Sequence, residues 1–181
     1  MHAARALVAG NWKMHKTVAE SSAFVRALLA LEPDLETVDA VIFPAFTALY
    51  ATGEALAGSA LGLGGQTMCD CDSGAFTGEI SPLMLLDCGA RWVILGHSER
   101  RTYCGETDAA INRKVHTALR VGLTPIVAVG ESAADHAAGR THDHVVAQTT
   151  AAFDGVTPAD VARCLVAYEP IWAIGTGLSD S

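Results

Sequence analysis

Short apolar runs recur along the chain, and helical patterns lie between them. The clearest runs are Trp92–Leu95, Pro125–Val129 and Cys164–Ala167, which carry no charged residue and are shorter than a typical helix. A strand that is apolar throughout is typically buried on both faces, as in a parallel sheet covered by helices. The alternation therefore predicts an α/β fold in which helices wrap a parallel sheet.

Turn and capping signals divide the chain into strands and the helices between them. Thr17 is a good helix N-cap, and Ser81 followed by Pro82 is a typical cap and first helical position. No linker or low-complexity segment interrupts the pattern, so we expect a single domain over residues 1–181. Strands are predicted at 7–9, 38–43, 60–65, 92–95, 125–129 and 164–167, and helices from 17 to near 33, over 46–57, from 81 onward, over 108–121 and over most of 130–153.

Two parallel architectures fit this alternation, the doubly wound open sheet and the (β/α)8 barrel. An open sheet that binds a dinucleotide has Gly-x-Gly-x-x-Gly after its first strand, whereas this chain has Gly10-Asn11-Trp12-Lys13. Polar residues instead follow the first, fourth and sixth predicted strands. A site built from several strand ends is typical of the barrel, which is therefore the favoured fold.

The charge balance limits the ligands that the chain can bind. Its 20 acidic and 12 basic residues give a formal net charge of −8. Such a chain has no basic field for nucleic acid or an anionic membrane, so we expect neither as a partner. The N-terminal apolar run ends at Asn11 and Lys13 and is therefore too short for a signal peptide or a membrane span. We accordingly expect a cytoplasmic location.

The cysteines do not predict a metal centre. There are five, an odd number, which fits reduced thiols better than a disulfide framework. Cys69 and Cys71 are separated by one residue, which is not the spacing of a zinc knuckle, and no second pair matches them. From the spacing we therefore expect no metal ligands.

Glu169 stands at the expected C-terminal end of the sixth strand. An apolar segment and then Gly175-Thr176-Gly177 follow it. An apolar wall would raise the pKa of this carboxyl towards neutrality, as a general base requires. Pro170 and the glycines would bracket a loop that closes and expels water. The alternative is a solvated glutamate that merely ends a strand.

His97 lies between the fourth strand and Ser98-Glu99, which is a good helix start. The positive end of a helix dipole disfavours the imidazolium, so a neutral histidine fits this position. A capping or core histidine is the alternative. Glu99 and Arg100 could likewise form an ordinary surface ion pair.

Asn11 and Lys13 follow the first strand, where Lys13 would supply a positive point charge to an anionic ligand. On their own they would be an ordinary loop pair. With Glu169 and His97 they provide a carboxylate base, a neutral hydrogen-bond donor and a lysine. That set suits removal of a proton next to a carbonyl and stabilisation of the enediolate, and it leaves the substrate open.

Four segments, in order along the chain, resemble triosephosphate isomerase, and the match runs through the whole sequence. The pairing of a glutamate base with a neutral histidine is an established pattern of that family, so it is not a conclusion from the spacing here. The four segments are Asn11-Trp12-Lys13, Gly74-Ala75-Phe76-Thr77-Gly78-Glu79-Ile80-Ser81, Trp92-Val93-Ile94-Leu95-Gly96-His97-Ser98-Glu99-Arg100-Arg101 and Tyr168-Glu169-Pro170-Ile171-Trp172-Ala173-Ile174-Gly175-Thr176-Gly177.

The resemblance implies interconversion of dihydroxyacetone phosphate and D-glyceraldehyde 3-phosphate, without a cofactor or metal. Glu169 would move the proton between the two carbons, and His97 would polarise the carbonyl oxygens. Lys13, counted among the catalytic residues, and Asn11 would bind the substrate and help to hold the oxyanion. The supporting and phosphate-binding residues implied in the same way are Ser98, Glu99 and Gly175.

The resemblance also implies a homodimer that acts in glycolysis and gluconeogenesis. In the family, the loop that here carries Thr77 enters the site of the neighbouring subunit beside Asn11. By the same resemblance, Glu79 would face Arg100 of the second subunit.

The sequence is shorter than the family pattern, which has eight strands in about 250 residues. We therefore expect an incomplete (β/α)8 barrel with the first six βα units, without strands seven and eight, whose loops build much of the phosphate site. The alternative to an active isomerase is an inactive fragment that needs a complementary C-terminal segment.

Overall fold

A computed structural model describes residues 6–31 and 34–174 of the chain. The chain divides into two compact units, Met1–Val93 and Ile94–Ser181, and the division falls within the fourth strand. The expectation of a single domain over residues 1–181 stays a prediction. In the described ranges, no helix is long and apolar enough to cross a membrane.

In the first unit each strand pairs in parallel with the next one along the chain. Its elements are β1 (Ala6–Asn11), α1 (Val18–Leu29), β2 (Val38–Phe43), α2 (Phe46–Leu56), β3 (Gly62–Gly65), α3 (Pro82–Asp87) and the start of β4 (Trp92–Leu95). The predicted bounds of β2 and β4 are confirmed. β1 is longer than predicted, because its pairing with β2 continues to Asn11 opposite Phe43.

The second unit continues the alternation from the end of β4. Its elements are α4 (Ser98–Cys104), α5 (Asp108–Val121), β5 (Thr124–Val129), α6 (Ala133–Ala137), α7 (Thr141–Ala152), α8 (Pro158–Val161), β6 (Leu165–Tyr168) and a 3-10 turn (Ile171–Ala173). β5 and β6 pair in parallel, with Val129 opposite Tyr168. The predicted α/β alternation and the bounds of α5 are confirmed. The prediction omits α8, although Thr157 before Pro158 is the same signal that locates α3.

Side-chain caps explain where the helices begin. At the start of α1 the Glu20 N–H donates to Thr17 Oγ1 at 3.4 Å, and the Glu20 carboxylate accepts from the Thr17 N–H at 2.7 Å. Thr107 Oγ1 accepts from the Ala110 N–H at the start of α5, and Gly122 ends that helix in the left-handed conformation. Because these signals are local, the sequence predicts these helices well.

The strands differ in how deeply they are buried. All five residues from Pro125 to Val129 in β5 are buried, as predicted for a strand covered on both faces. β6 does not fit that prediction, because Val166 is 48% exposed and Tyr168 is 39% exposed. Within the described residues β6 pairs with β5 alone, so these ranges supply no strand to its other edge.

The close packing of β2 against β3 gives a first prediction. A Cβ at Gly64 would lie 2.2 Å from Cε1 of Phe43, a ring with no exposed surface. Gly64→Ala therefore forces the core apart, and we expect the free energy of unfolding to fall by about 1–3 kcal/mol.

The matched control is Gly10→Ala in β1, where the added Cβ would meet only the Val41 carbonyl at 3.7 Å. Urea unfolding of both variants measures the difference. Equal midpoints for Gly64→Ala and Gly10→Ala would contradict this account of the core.

Candidate active site

His97 follows β4 and caps the N-terminus of α4. Gly96 turns the chain at the strand end with a φ of +73°, a conformation that favours glycine. The Glu99 backbone N–H donates to Nδ1 of His97 at 3.2 Å, and the side chain is buried. A nitrogen that accepts a hydrogen bond carries no proton, so this contact assigns the neutral imidazole with its proton on Nε2.

The Glu99 carboxylate also lies near this nitrogen, with Oε2 3.5 Å from Nδ1 of His97. That separation is at the limit of hydrogen bonding, and the Glu99 side chain is 44% exposed, so water competes for it. The shorter contact from the backbone N–H therefore decides the tautomer. Glu99 supplies a negative charge beside the imidazole, which agrees with the supporting role expected of it.

Glu169 follows β6 directly and lies against the end of β4. Its backbone N–H donates to the Val129 carbonyl at 2.7 Å, which continues the pairing of β6 with β5. Its carboxylate accepts from His97 Nε2 at 2.8 Å and from the Ser98 backbone N–H at 3.0 Å. The structure thus brings the predicted base and the predicted electrophile into direct contact, and the Ser98 backbone N–H donates to the same carboxylate.

The pKa of Glu169 differs from the expectation of a value raised towards neutrality. Burial is the largest single influence and does raise the pKa, but the hydrogen bonds from His97 and Ser98 prevail and lower it. The expectation of a raised value is therefore wrong for this arrangement. The Glu169 side chain is largely buried, but two donors stabilise the charged carboxylate.

Gly130 permits the approach of the chain that carries Glu169. A Cβ at Gly130 would lie 1.8 Å from the Glu169 carbonyl oxygen, so a larger residue would displace that backbone. The Gly130 N–H donates to Oε1 of the buried Gln148 at 2.9 Å. Gly130 is one of the functional positions that the sequence analysis misses.

Glu131 is a second such position, and it anchors the segment on both sides of Glu169. It has no exposed surface, and its Oε1 accepts from Tyr168 at 3.1 Å, Trp172 at 2.8 Å and Thr141 at 3.2 Å. Burial is the largest influence on its pKa and raises it, but the bonds from its own backbone N–H and these three side chains lower it overall. Glu131 is the second residue after β5, so the rule that selects polar residues at strand ends would have found it.

Asn11 and Lys13 come together in the first unit, where Lys13 has a φ of +52°. The Lys13 N–H donates to Asn11 Oδ1 at 2.9 Å, and Gln66 Nε2 donates to the Lys13 carbonyl at 2.9 Å and to the Phe43 carbonyl at 2.9 Å. A non-glycine residue in this conformation costs about 1–3 kcal/mol, which these bonds help to offset. Gln66, which links the loops after β1 and β2, is a third position that the sequence analysis misses.

The remaining predicted residues lie apart from the His97 contact or outside the described ranges. Thr77 and Glu79 lie on an exposed loop of the first unit. Arg100 Nε lies 3.6 Å from a carboxylate oxygen of Glu106 within its own chain. Gly175 lies outside the described residues. The meeting of Asn11 and Lys13 with the residues of the second unit stays a prediction.

Comparisons with known proteins show which family this chain resembles. The family model described as triosephosphate isomerase matches residues 6–181. The triosephosphate isomerase of Chloroflexus aurantiacus is 54% identical over 171 residues, which cover 94% of this chain and 68% of the relative. That of Symbiobacterium thermophilum is 49% identical over 171 residues, covering 94% and 67%, and that of Carboxydothermus hydrogenoformans is 49% identical over 170 residues, covering 94% and 68%.

The donors around Glu169 give a prediction for its titration. By NMR of ¹³C-labelled glutamate, we expect a pKa below the ordinary value of about 4.3. His97→Phe removes the donor and keeps the site apolar, so the pKa should rise. Because the folded pKa is the lower one, ionised Glu169 stabilises the fold above about pH 4.3, and that contribution is lost as the pH falls through the folded value.

His116→Phe, which changes a histidine that contacts the Asp154 carbonyl, is the control and should leave the titration of Glu169 unchanged. A Glu169 pKa above the ordinary value in the unsubstituted chain, or one that falls in His97→Phe, would contradict the assignment.

Proposed function

The chain belongs to the triosephosphate isomerase family, and we propose that it interconverts dihydroxyacetone phosphate and D-glyceraldehyde 3-phosphate by proton transfer through an enediolate, without a cofactor. The observation that carries the proposal is the 2.8 Å contact between His97 Nε2 and Glu169 Oε1. It places a carboxylate base beside a neutral hydrogen-bond donor, and these two groups suffice for aldose–ketose isomerisation once a substrate carbonyl lies between them.

Glu169 is the proposed base. Its carboxylate would take a proton from the carbon next to the carbonyl and return it to the neighbouring carbon, so one group serves both halves of the reaction. Burial raises the pKa of Glu169, but the hydrogen bonds from His97 and Ser98 outweigh it in this structure. A bound substrate whose carbonyl oxygen accepts from His97 would remove one of those donors, and burial would then raise the pKa of Glu169 towards the working pH.

His97 is the proposed electrophile. Its Nε2–H, which points at Glu169 in this structure, would donate to the carbonyl oxygens of the substrate in turn. The Glu99 N–H on Nδ1 holds the tautomer and the ring plane. A neutral imidazole stabilises the enediolate oxygens through the hydrogen bond that its Nε2–H donates.

Asn11 and Lys13 are the proposed substrate-binding residues, and Lys13 would also stabilise the developing negative charge. In a chain of net charge −8, an anionic substrate needs a cation placed for it, and Lys13 is held in one backbone conformation by Asn11 and Gln66. The Gly175 N–H is proposed to meet the phosphate, as the resemblance implies.

We propose a homodimer formed through the loop that carries Thr77, with Glu79 facing Arg100 of the second subunit. In support, residues 73–79 are exposed, and among them the Phe76 ring is 48% exposed. An exposed aromatic side chain on a protruding loop is typical of an interface. We also propose a cytoplasmic location and a role in glycolysis and gluconeogenesis, as the family implies. The acidic charge balance supports the absence of nucleic-acid and membrane partners.

Isomerase activity of the purified chain, assayed in both directions, tests the proposed function. Glu169→Gln keeps the shape of the side chain and removes the base, so the rate should fall by about 10²–10⁴-fold. His97→Gln should also reduce turnover. Glu54→Gln in α2, an exposed residue, is the matched control and should keep full activity.

A loss of less than about tenfold in Glu169→Gln would exclude the residue as the base. Full activity in His97→Gln would exclude the electrophile. Because Glu169→Gln also reports any contaminating host enzyme, activity equal to that of this variant would favour the alternative, an inactive fragment that needs a complementary C-terminal segment.

Sedimentation velocity tests the dimer. We expect the unsubstituted chain to sediment as a dimer and Thr77→Arg to shift it towards the monomer, because an added charge on the loop cannot be buried without a partner. Thr150→Arg, on an exposed position of α7, should leave the dimer intact. A monomer at all concentrations, or equal behaviour of the two variants, would contradict the dimer.

A further inference from the structure

Three consecutive side chains at the base of the Thr77 loop converge on one point. The Sγ atoms of Cys69 and Cys71 and a carboxylate oxygen of Asp70 all lie within 4.8 Å of one another. Oδ1 of Asp70 lies 3.8 Å from Sγ of Cys69 and 3.9 Å from Sγ of Cys71. These separations are long for hydrogen bonds, so they leave room for an ion among the three atoms.

We propose that Cys69, Asp70 and Cys71 form a binding site for a thiophilic divalent cation of the Zn²⁺ type. Thiolate and carboxylate ligands lie about 2.3 Å and 2.0–2.2 Å from zinc, so in a tetrahedral site a sulfur and an oxygen lie about 3.6 Å apart. The two observed S–O distances, 3.8 and 3.9 Å, exceed this value by about 0.3 Å or less. The donor set is therefore nearly assembled.

The spacing of the cysteines argues against a zinc knuckle, but cysteine spacing is an incomplete criterion for a metal site. It counts only the cysteines, whereas here the residue between them, Asp70, supplies the third donor. Two sulfur atoms and one oxygen atom suit a borderline-soft ion and disfavour Mg²⁺ and Ca²⁺, which prefer oxygen ligands alone.

The surrounding structure holds the site and gives it an open position. The Cys69 N–H donates to the Ile80 carbonyl at 2.8 Å, which fixes the start of the loop against its end. A cavity of about 50 Å³ beside both cysteines is also lined by Glu79 and Met84. That volume accommodates a water molecule as the fourth ligand.

The charge of the cluster also favours a cation. The Asp70 carboxylate lies 3.8 and 3.9 Å from the two sulfur atoms, so without a cation it would repel a thiolate at either cysteine. A divalent cation reverses this penalty by neutralising the thiolates that it binds. Both thiols must lose their protons to bind the metal, so binding should release about two protons per ion.

Titration of the full chain with Cd²⁺ and Zn²⁺, in the presence of a phosphine reductant, tests the proposal. Cd²⁺ should bind with one ion per chain, produce the ultraviolet thiolate-to-cadmium charge-transfer band and release about two protons, and excess Zn²⁺ should remove the band by displacing Cd²⁺. Cys69→Ser/Cys71→Ser should weaken binding by about 100-fold or more, and Asp70→Asn by about tenfold or more.

The matched control is Cys88→Ser/Cys104→Ser, which removes two thiols outside the cluster and should leave binding and the band unchanged. Cys69 is buried, so Cys71→Ser alone, at a half-buried position, supplies a variant that keeps the core intact. It should weaken binding by about tenfold or more and reduce the band of each bound ion, because one of the two thiolates is lost. Circular dichroism checks that each variant is folded.

The proposal is overturned if the unsubstituted chain shows no charge-transfer band, or if the folded Cys71→Ser and Cys69→Ser/Cys71→Ser variants bind one ion per chain with unchanged affinity. Loss of binding in Cys88→Ser/Cys104→Ser would place the metal on those thiols, and binding without the band would place it on histidines. Either result would also overturn the proposal.

Discussion

One hydrogen bond joins the ends of β4 and β6: Nε2 of His97 donates to the Glu169 carboxylate at 2.8 Å. Much of the second unit holds these two side chains in position. Gly96 turns the strand end so that the imidazole can cap α4. Gly130 lets the backbone of Glu169 approach, and Glu131 fixes the residues on both sides of it. Neither side chain would be held in place by its own strand alone, because each follows the last paired residue of that strand.

Two opposing influences meet at Glu169. Burial favours the neutral carboxyl, while the donors His97 and Ser98 favour the charged form and prevail in this structure. A base must be ionised before it can accept a proton, and it must also hold that proton once it has accepted it. The arrangement satisfies the first requirement at rest, and a substrate that takes over the His97 donor would supply the second.

The sequence predicts those parts of the fold that depend on local signals. The bounds of β2, β4 and α5 are confirmed because apolar runs, a capping threonine and Gly122 mark them within a few residues. The proximity of His97 to Glu169 can also be predicted from the sequence, because parallel strands bring their C-terminal ends to one edge of the sheet. Gln66 is not predicted, because its partners are far along the chain and become visible only through tertiary contacts. Glu131 is missed although it lies just beyond β5, where the rule for polar residues at strand ends would have selected it. The predicted direction of the Glu169 pKa shift is wrong for a similar reason. Hydrophobic neighbours in the sequence suggest burial, but they do not reveal the hydrogen-bond donors that follow another strand.

The most direct test of this account is the tautomer of His97, measured by ¹⁵N NMR near pH 7. The structure predicts that Nε2 carries the proton and that Nδ1 does not, because the Glu99 N–H donates to it. A shift typical of a protonated Nε2 beside an unprotonated Nδ1 would support the neutral electrophile. The imidazolium would contradict the neutral electrophile. A neutral ring with its proton on Nδ1, paired with the Glu99 carboxylate, would contradict it too and would leave Glu169 without the donor on which this account depends.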